Sequence, residues 1–110
     1  MSEFLACGEV DQRRTELQIL DVREPDEWEA GHIEGAVHIP LNDLLNGVTD
    51  GLDQSRPVVT YCRTANRSEV ARLMLQAQGF EAYTMEGGGQ TWEAEGRPLT
   101  TPAGDPGVCA

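Results

Sequence analysis

Hydrophobic positions along the chain fall in short runs separated by polar turns. LQILDV (Leu17 to Val22) is apolar, short and followed by turn residues, which predicts a buried strand. AVHIP (Ala36 to Pro40), PVVTY (Pro57 to Tyr61) and FEAYT (Phe80 to Thr84) predict three more. Helical patterns lie between them. Pro25 opens a short helix with Asp26 and Glu27 in its first turn, where acidic side chains suit the helix dipole, and Gly31 closes it. LNDLL (Leu41 to Leu45) predicts another short helix, and Asn46 to Gln54 a polar loop. The clearest helical pattern runs from Ser68 to Gln78. There Val70, Leu73, Met74 and Ala77 share one face, and Gly79 stops the helix. MEGGGQTWEAEGRP predicts a glycine-rich turn leading into a short helix around Trp92. Val10 to Arg14 is polar and reads as the end of an N-terminal helix or loop.

Strands alternating with helices predict an α/β fold: a three-layer sandwich with a central, mainly parallel sheet flanked by helices. The chain has 110 residues, enough for one domain with one modest core. That domain is expected over residues 1–99, with a flexible tail over 100–110, where Pro, Gly and small residues dominate. No apolar run is long enough to span a membrane, and Met1 to Gly8 lacks the basic region of a signal peptide. The cytoplasm is the expected location.

Charge narrows the function classes. The net charge is −11, and all eight basic residues are arginine. Nucleic acid and anionic membrane are excluded as bulk electrostatic partners, because both need a positive field. The three cysteines, Cys7, Cys62 and Cys109, form no CxxC pair and no His/Cys cluster, so neither a disulfide framework nor a metal site is expected. No cofactor is implied.

Against this acidic background, Cys62 is followed by Arg63 and Arg67. Parallel α/β sheets place ligand sites at the carboxyl ends of their strands, and Cys62 stands at such an end, just before the longest helix. Loop N–H groups and the helix N-terminus supply positive potential there. A cysteine so placed is expected to favour its thiolate form. The combination predicts a nucleophilic sulfur in a cradle for an anion. Cysteine-dependent phosphatases need five residues between Cys and Arg, whereas here only Arg63, Thr64, Ala65 and Asn66 intervene. The shorter loop matches phosphate poorly, so a phosphatase or arsenate reductase is disfavoured.

Three segments together resemble the single-domain rhodanese family, the thiosulfate sulfurtransferases: LDVREPDEWEAGHIEGAVHIPL, VVTYCRTANRSEVARLMLQAQGF and GGGQTWEAEGRPL. The resemblance implies that Cys62 is the nucleophile and that Cys62 to Arg67 form a six-residue active-site loop. It implies a persulfide on Cys62, formed from thiosulfate or another anionic sulfur donor and discharged to cyanide, a thiol or an acceptor protein. The family usually has glycine where Ala65 stands. If that position requires a left-handed backbone, alanine is strained there by about 1 kcal/mol, and such strain is the expectation. The family also has a strand and a helix before the strand matched by LQILDV. Only one short element fits before Leu17, so the first strand is expected to be missing.

Other residues carry plainer expectations. Asp21, Arg23 and Glu27 are read as structural support, with Arg23 pairing to Glu27 or Asp26. His32 is read as a turn-fixing hydrogen bonder, and Trp28 and Trp92 as packing anchors. The Gly87–Gly89 run lacks the GK[ST] ending of a phosphate loop. Cys7 and Cys109 are read as bystanders, with Cys109 as a mobile resolving thiol the sharper alternative. The competing function is a persulfide carrier or interaction module that serves a protein partner with little small-molecule turnover.

Overall fold

The computed structural model describes residues 3–110; residues 1–2, which open the stretch Met1 to Gly8, lie outside the described residues. Ten elements alternate along the chain. They are β1 (Phe4–Leu5), α1 (Cys7–Gln12), β2 (Gln18–Asp21), α2 (Pro25–Ala30), β3 (Val37–His38), α3 (Leu41–Leu45), β4 (Val58–Tyr61), α4 (Asn66–Ala77), β5 (Ala82–Met85) and α5 (Gly88–Ala94). The strands form one parallel sheet in the order β1-β5-β4-β2-β3.

Both faces of the sheet are buried, which is why its strands read as continuous apolar runs. Successive side chains alternate between two cores. Ile19, Val59, Tyr61 and Met85 face α1 and α5, meeting Cys7, Val10 and Trp92. Leu20, Val58 and Ala82 face α3 and α4, meeting Leu44, Ala71 and Leu75. The expected three-layer α/β sandwich is therefore present.

Three expectations need correction. The first strand is not missing. Phe4–Leu5 pairs in parallel with β5, Leu5 lying opposite Met85, and α1 follows it at once. Two residues are too few to show a period. The helix α4 also buries a different face from the one its apolar residues mark. Ser68, Ala71, Arg72 and Leu75 are buried, while Val70 and Leu73 are 44% and 55% exposed. The buried face thus carries two small residues and an arginine beside Leu75, and Met74 alone of the marked set packs against the core edge.

The third correction concerns the segment expected to be a flexible tail. It folds back on the body. Thr100 exchanges backbone hydrogen bonds with His32 (2.8 and 2.9 Å), the Val108 N–H donates to the Ala30 carbonyl (3.0 Å), and the Cys109 N–H donates to Glu93 (2.9 Å). Gly31 makes this possible, since a Cβ there would lie 2.5 Å from the Val108 backbone. Composition alone does not reveal this packing, because each contact lies far away in sequence.

Candidate active site

The chain crosses from β3 back over β2 to reach β4, so the order in which successive strands are laid down reverses between β2 and β4, all strands staying parallel. Ligands of open α/β sheets bind at such a reversal, beyond the carboxyl ends of the strands. Here β4 runs into Cys62, and β2 runs through Asp21 to Arg23 and then into α2. The loop Cys62 to Arg67 joins β4 to α4, whose first turn begins at Asn66.

The orientation of the loop follows from its back. The Gly89 N–H donates to the Cys62 carbonyl (2.8 Å) and the Gln90 N–H to the Arg63 carbonyl (2.9 Å). A Cβ on Gly88 would lie 1.9 Å from the Thr64 carbonyl oxygen, 2.6 Å from that of Cys62 and 2.7 Å from that of Arg63. Three consecutive carbonyls thus point at the start of α5. Among the described residues, the N–H groups of Arg63, Thr64 and Ala65 have no acceptor within the chain. Those of Asn66, Arg67 and Ser68 open α4 and have no partner within the helix. The glycine run serves as a close-fitting back to the loop and not as a phosphate loop. Gly88, at φ +65° and in sub-contact distance of three carbonyls, admits no side chain.

Cys62 is 1% exposed. Its thiol donates to the hydroxyl of Ser68 (3.6 Å), which in turn donates to the Ala65 carbonyl (3.0 Å). The sequence pattern marks Ser68 only as the start of a helix. Its one further signal is its place directly after Arg67, one turn from Ala65. Ala65 itself has φ −147°, and no non-glycine residue in the described chain has positive φ. The left-handed strain expected there does not exist.

The two arginines part company. Arg67 forms a two-pronged ion pair with Glu27 (2.6 and 2.9 Å). That pairing holds the Glu27 carboxyl below its ordinary value, against an opposing effect of burial, and raises Arg67. Glu27 also accepts from the Glu24 N–H (2.9 Å), completing the capping box of α2. One carboxylate therefore ties the start of α2 to the loop that follows Cys62, across the reversal point. Arg63 is exposed, and among the described residues its guanidinium has neither an ion pair nor a hydrogen bond. Thr64 and Asn66 are exposed beside it.

Arg23 does not pair with Glu27 or Asp26. It is fully buried and grips Asp21 (2.8 Å). It also donates to the Gly31 carbonyl (2.6 Å). Burial disfavours its charge, but the Asp21 hydrogen bonds and charge outweigh that and raise it. Asp21 accepts from the Tyr61 hydroxyl (2.7 Å), which accepts from the Ile33 N–H (3.0 Å). This network braces the end of β2 against the residue before Cys62. His32 lies against the Trp28 carbonyl (2.9 Å), and Trp28 stacks on both His32 and His38. Trp92 is fully buried and donates to the Pro98 carbonyl (2.9 Å).

The remaining thiols lie apart from the loop interior. Burial pushes Cys7 up to about 11, and it contacts the Glu86 carbonyl (3.6 Å). Cys109 sits behind the loop, within reach of Gly89 and 3.9 Å from Arg23, and burial raises it as well. No group of three or more His, Cys, Asp and Glu residues is arranged to hold a metal among the described residues. Nor is any helix there long and apolar enough to cross a membrane.

Comparison with known proteins assigns the class. The family model for the rhodanese-like domain matches residues 7–95. The chain belongs to the rhodanese-like family. It is 34% identical over 100 residues to thiosulfate sulfurtransferase GlpE of Ectopseudomonas mendocina, covering 86% of this chain and 89% of that protein. It is 34% identical over 83 residues to GlpE of Coxiella burnetii, covering 74% and 77%. Among solved structures, the rhodanese-related protein of Thermoplasma volcanium superposes with a TM-score of 0.81 at 29% identity, covering 87% of this chain and 95% of that one. Membership and these relatives support sulfur transfer as the general activity.

Proposed function

We propose that the chain is a sulfurtransferase that carries sulfane sulfur on Cys62, taking it from thiosulfate or a similar anion. The observation that carries this reading is the loop itself: three carbonyls turned back onto α5, and the N–H groups of Arg63, Thr64 and Ala65, which follow Cys62, left without an acceptor among the described residues. Such a cradle suits an anion and a thiolate together. Arg63, free of carboxylate partners, is the cation that meets the donor. Arg67, held by Glu27, fixes the shape of the loop.

The steps balance without a cofactor. The Cys62 thiolate attacks the outer sulfur of thiosulfate, the S–S bond breaks, and sulfite leaves with the electron pair. Cyanide or a thiolate then attacks the terminal sulfur of the persulfide, and Cys62 leaves as thiolate. This is ping-pong covalent catalysis. Because Cys62 is 1% exposed, the donor enters by a small outward displacement of the exposed side of the loop, which favours small anions. The reading fits a cytoplasmic setting, where thiols stay reduced.

A carrier role toward a protein acceptor is favoured by one observation. The exposed Val70 and Leu73 lie on α4, the helix that starts at the loop, and give a partner apolar side chains on the element that follows Cys62. Mass spectrometry after thiosulfate treatment tests the common step. One added sulfur on Cys62, removed by cyanide or dithiothreitol and absent from Cys62→Ser, is the expected result. Retained turnover in Cys62→Ser would refute the assignment. Steady-state turnover with small acceptors then separates enzyme from carrier.

A further inference from the structure

The Ser68 hydroxyl is completely buried, and its two neighbours are the Cys62 sulfur at 3.6 Å and the Ala65 carbonyl at 3.0 Å. It is also held firmly. The Ser68 carbonyl accepts from the Thr60 hydroxyl of β4 (2.8 Å) and the Thr84 hydroxyl of β5 (3.5 Å), both threonines being fully buried. Two strands thus pin the first turn of α4 at a fixed height above the sheet. The Thr60 and Thr84 hydroxyls are spent on a carbonyl, whereas the Ser68 hydroxyl lies beside the sulfur on a sheet face lined mostly by apolar side chains, and that placement calls for a chemical reason.

The hydroxyl has one proton and two possible acceptors. While Cys62 is a thiol, the sulfur carries its own proton and donates it to Ser68, and Ser68 donates to Ala65. When Cys62 is a thiolate, the sulfur has no proton to give. Rotation about the Cα–Cβ or Cβ–O bond then turns the Ser68 proton onto the sulfur. The movement needs no backbone change, and the Ala65 carbonyl still receives the Glu69 N–H (3.0 Å). The charged group that also bears on the sulfur is Arg67, already committed to Glu27.

We infer that Ser68 is a catalytic residue of the sulfur transfer, donating a hydrogen bond to the Cys62 sulfur when that atom becomes the leaving thiolate. The inference rests on the proposed persulfide cycle and assigns Ser68 to one half of it. In discharge of the persulfide, the acceptor bonds to the outer sulfur, the S–S bond breaks and the electron pair settles on Cys62. A donor at that atom lowers the barrier by stabilising charge that develops there. In loading, the same hydrogen bond raises the thiolate fraction but weakens the thiolate as a nucleophile, so the two effects oppose. Ser68 therefore acts asymmetrically on the two half-reactions.

Ser68→Ala tests this, and alanine suits an α-helix. The expected result is discharge to cyanide slowed about tenfold, the usual scale for a lost hydrogen bond to a charged group. Loading from thiosulfate should change less than threefold. The pH midpoint for alkylation of Cys62 by iodoacetamide should move upward. Ser68→Thr keeps the hydroxyl and should restore both the discharge rate and the alkylation midpoint. A merely structural serine would instead slow both half-reactions together and leave the alkylation midpoint in place. Should Ser68→Ala fail to fold, Ser68→Cys supplies a weaker donor of similar size, with the same asymmetry expected on a smaller scale. Equal effects on loading and discharge, or an unmoved midpoint in a folded variant, overturn the inference. If the parent takes no sulfur from thiosulfate, the proposed function fails, while the alkylation midpoint still decides whether Ser68 serves the Cys62 thiolate.

Discussion

At the scale of single residues, the site is governed by which charges are already taken. Glu27 holds Arg67, whereas Arg63 has no carboxylate partner among the described residues, and the proposed function therefore gives Arg63 the anion. Arg63→Ala should raise KM for thiosulfate about tenfold with little change in kcat, because the interaction it removes is made before the chemistry. Steady-state kinetics with varied thiosulfate checks this, and an unchanged KM would place Arg63 outside the binding step. Glu27→Gln should behave differently. It releases the loop, with a stability loss of about 1 kcal/mol, the upper end for a partly exposed ion pair. Its pH dependence has a definite sign. The Glu27 carboxyl is lowered in the folded state from 4.5, so its contribution is complete above that value and fades as pH falls below it. Urea unfolding of parent and variant should therefore converge in strongly acidic buffer and diverge near neutrality. Ala65 gives the opposite lesson to the family comparison. With φ at −147°, Ala65→Gly relieves nothing and adds unfolded-state entropy, so it should destabilise by about 0.4–1 kcal/mol. Higher stability in that variant would mean the loop is strained after all.

At the scale of elements, α5 acts as the back wall of the loop through its first turn. Gly88→Ala brings a methyl into the space of three carbonyls and forces a side chain into φ +65°. The substitution should cost well over about 1 kcal/mol and abolish sulfur loading, because the backbone of Cys62 to Thr64 must shift to make room for the methyl. Thermal unfolding and the thiosulfate mass shift measure the two effects separately, and a stable, fully loading variant would refute the back-wall role. The elements also show where sequence reading has reach. Strands β2, β4 and β5 are buried on both faces, so each has adjacent apolar or β-branched residues in place of a polar alternation, and that marks them in the sequence. Cys62 was legible because a strand end, a cysteine and two arginines fall within ten consecutive residues. The rest depended on distance in sequence. Arg67 and Glu27 lie forty positions apart, and Gly88 meets carbonyls more than twenty positions away. The face of α4 was misread for another reason. Its buried face mixes Ser68, Ala71 and Arg72 with a single Leu75, a set that hydrophobicity does not register.

At the scale of the whole molecule, the proposed thiosulfate donor is a dianion that would approach a body of net charge −11. Two opposing fields act on it, and they have different ranges. The overall negative charge repels it from afar, while Arg63 and the loop N–H groups attract it near contact. The Debye length separates them: about 30 Å at 0.01 M salt and about 10 Å at 0.1 M. At the lower salt the whole acidic surface is felt, so association is slow. At the higher salt the distant carboxylates are screened and the adjacent Arg63 still acts, so kcat/KM for thiosulfate should rise. Toward about 1 M the Debye length shrinks to about 3 Å, Arg63 is screened in turn, and kcat/KM should fall again. The expected profile has a maximum at intermediate ionic strength. Arg63→Ala removes the short-range attraction and should leave a profile that rises to a plateau with no such maximum. Initial rates at low thiosulfate across a sodium chloride series, for parent and variant side by side, make the comparison. A parent profile that falls from the lowest salt onward would mean that attraction at the site outweighs the acidic surface at every range. Identical profiles for the two proteins would mean that the cation steering the anion is not Arg63.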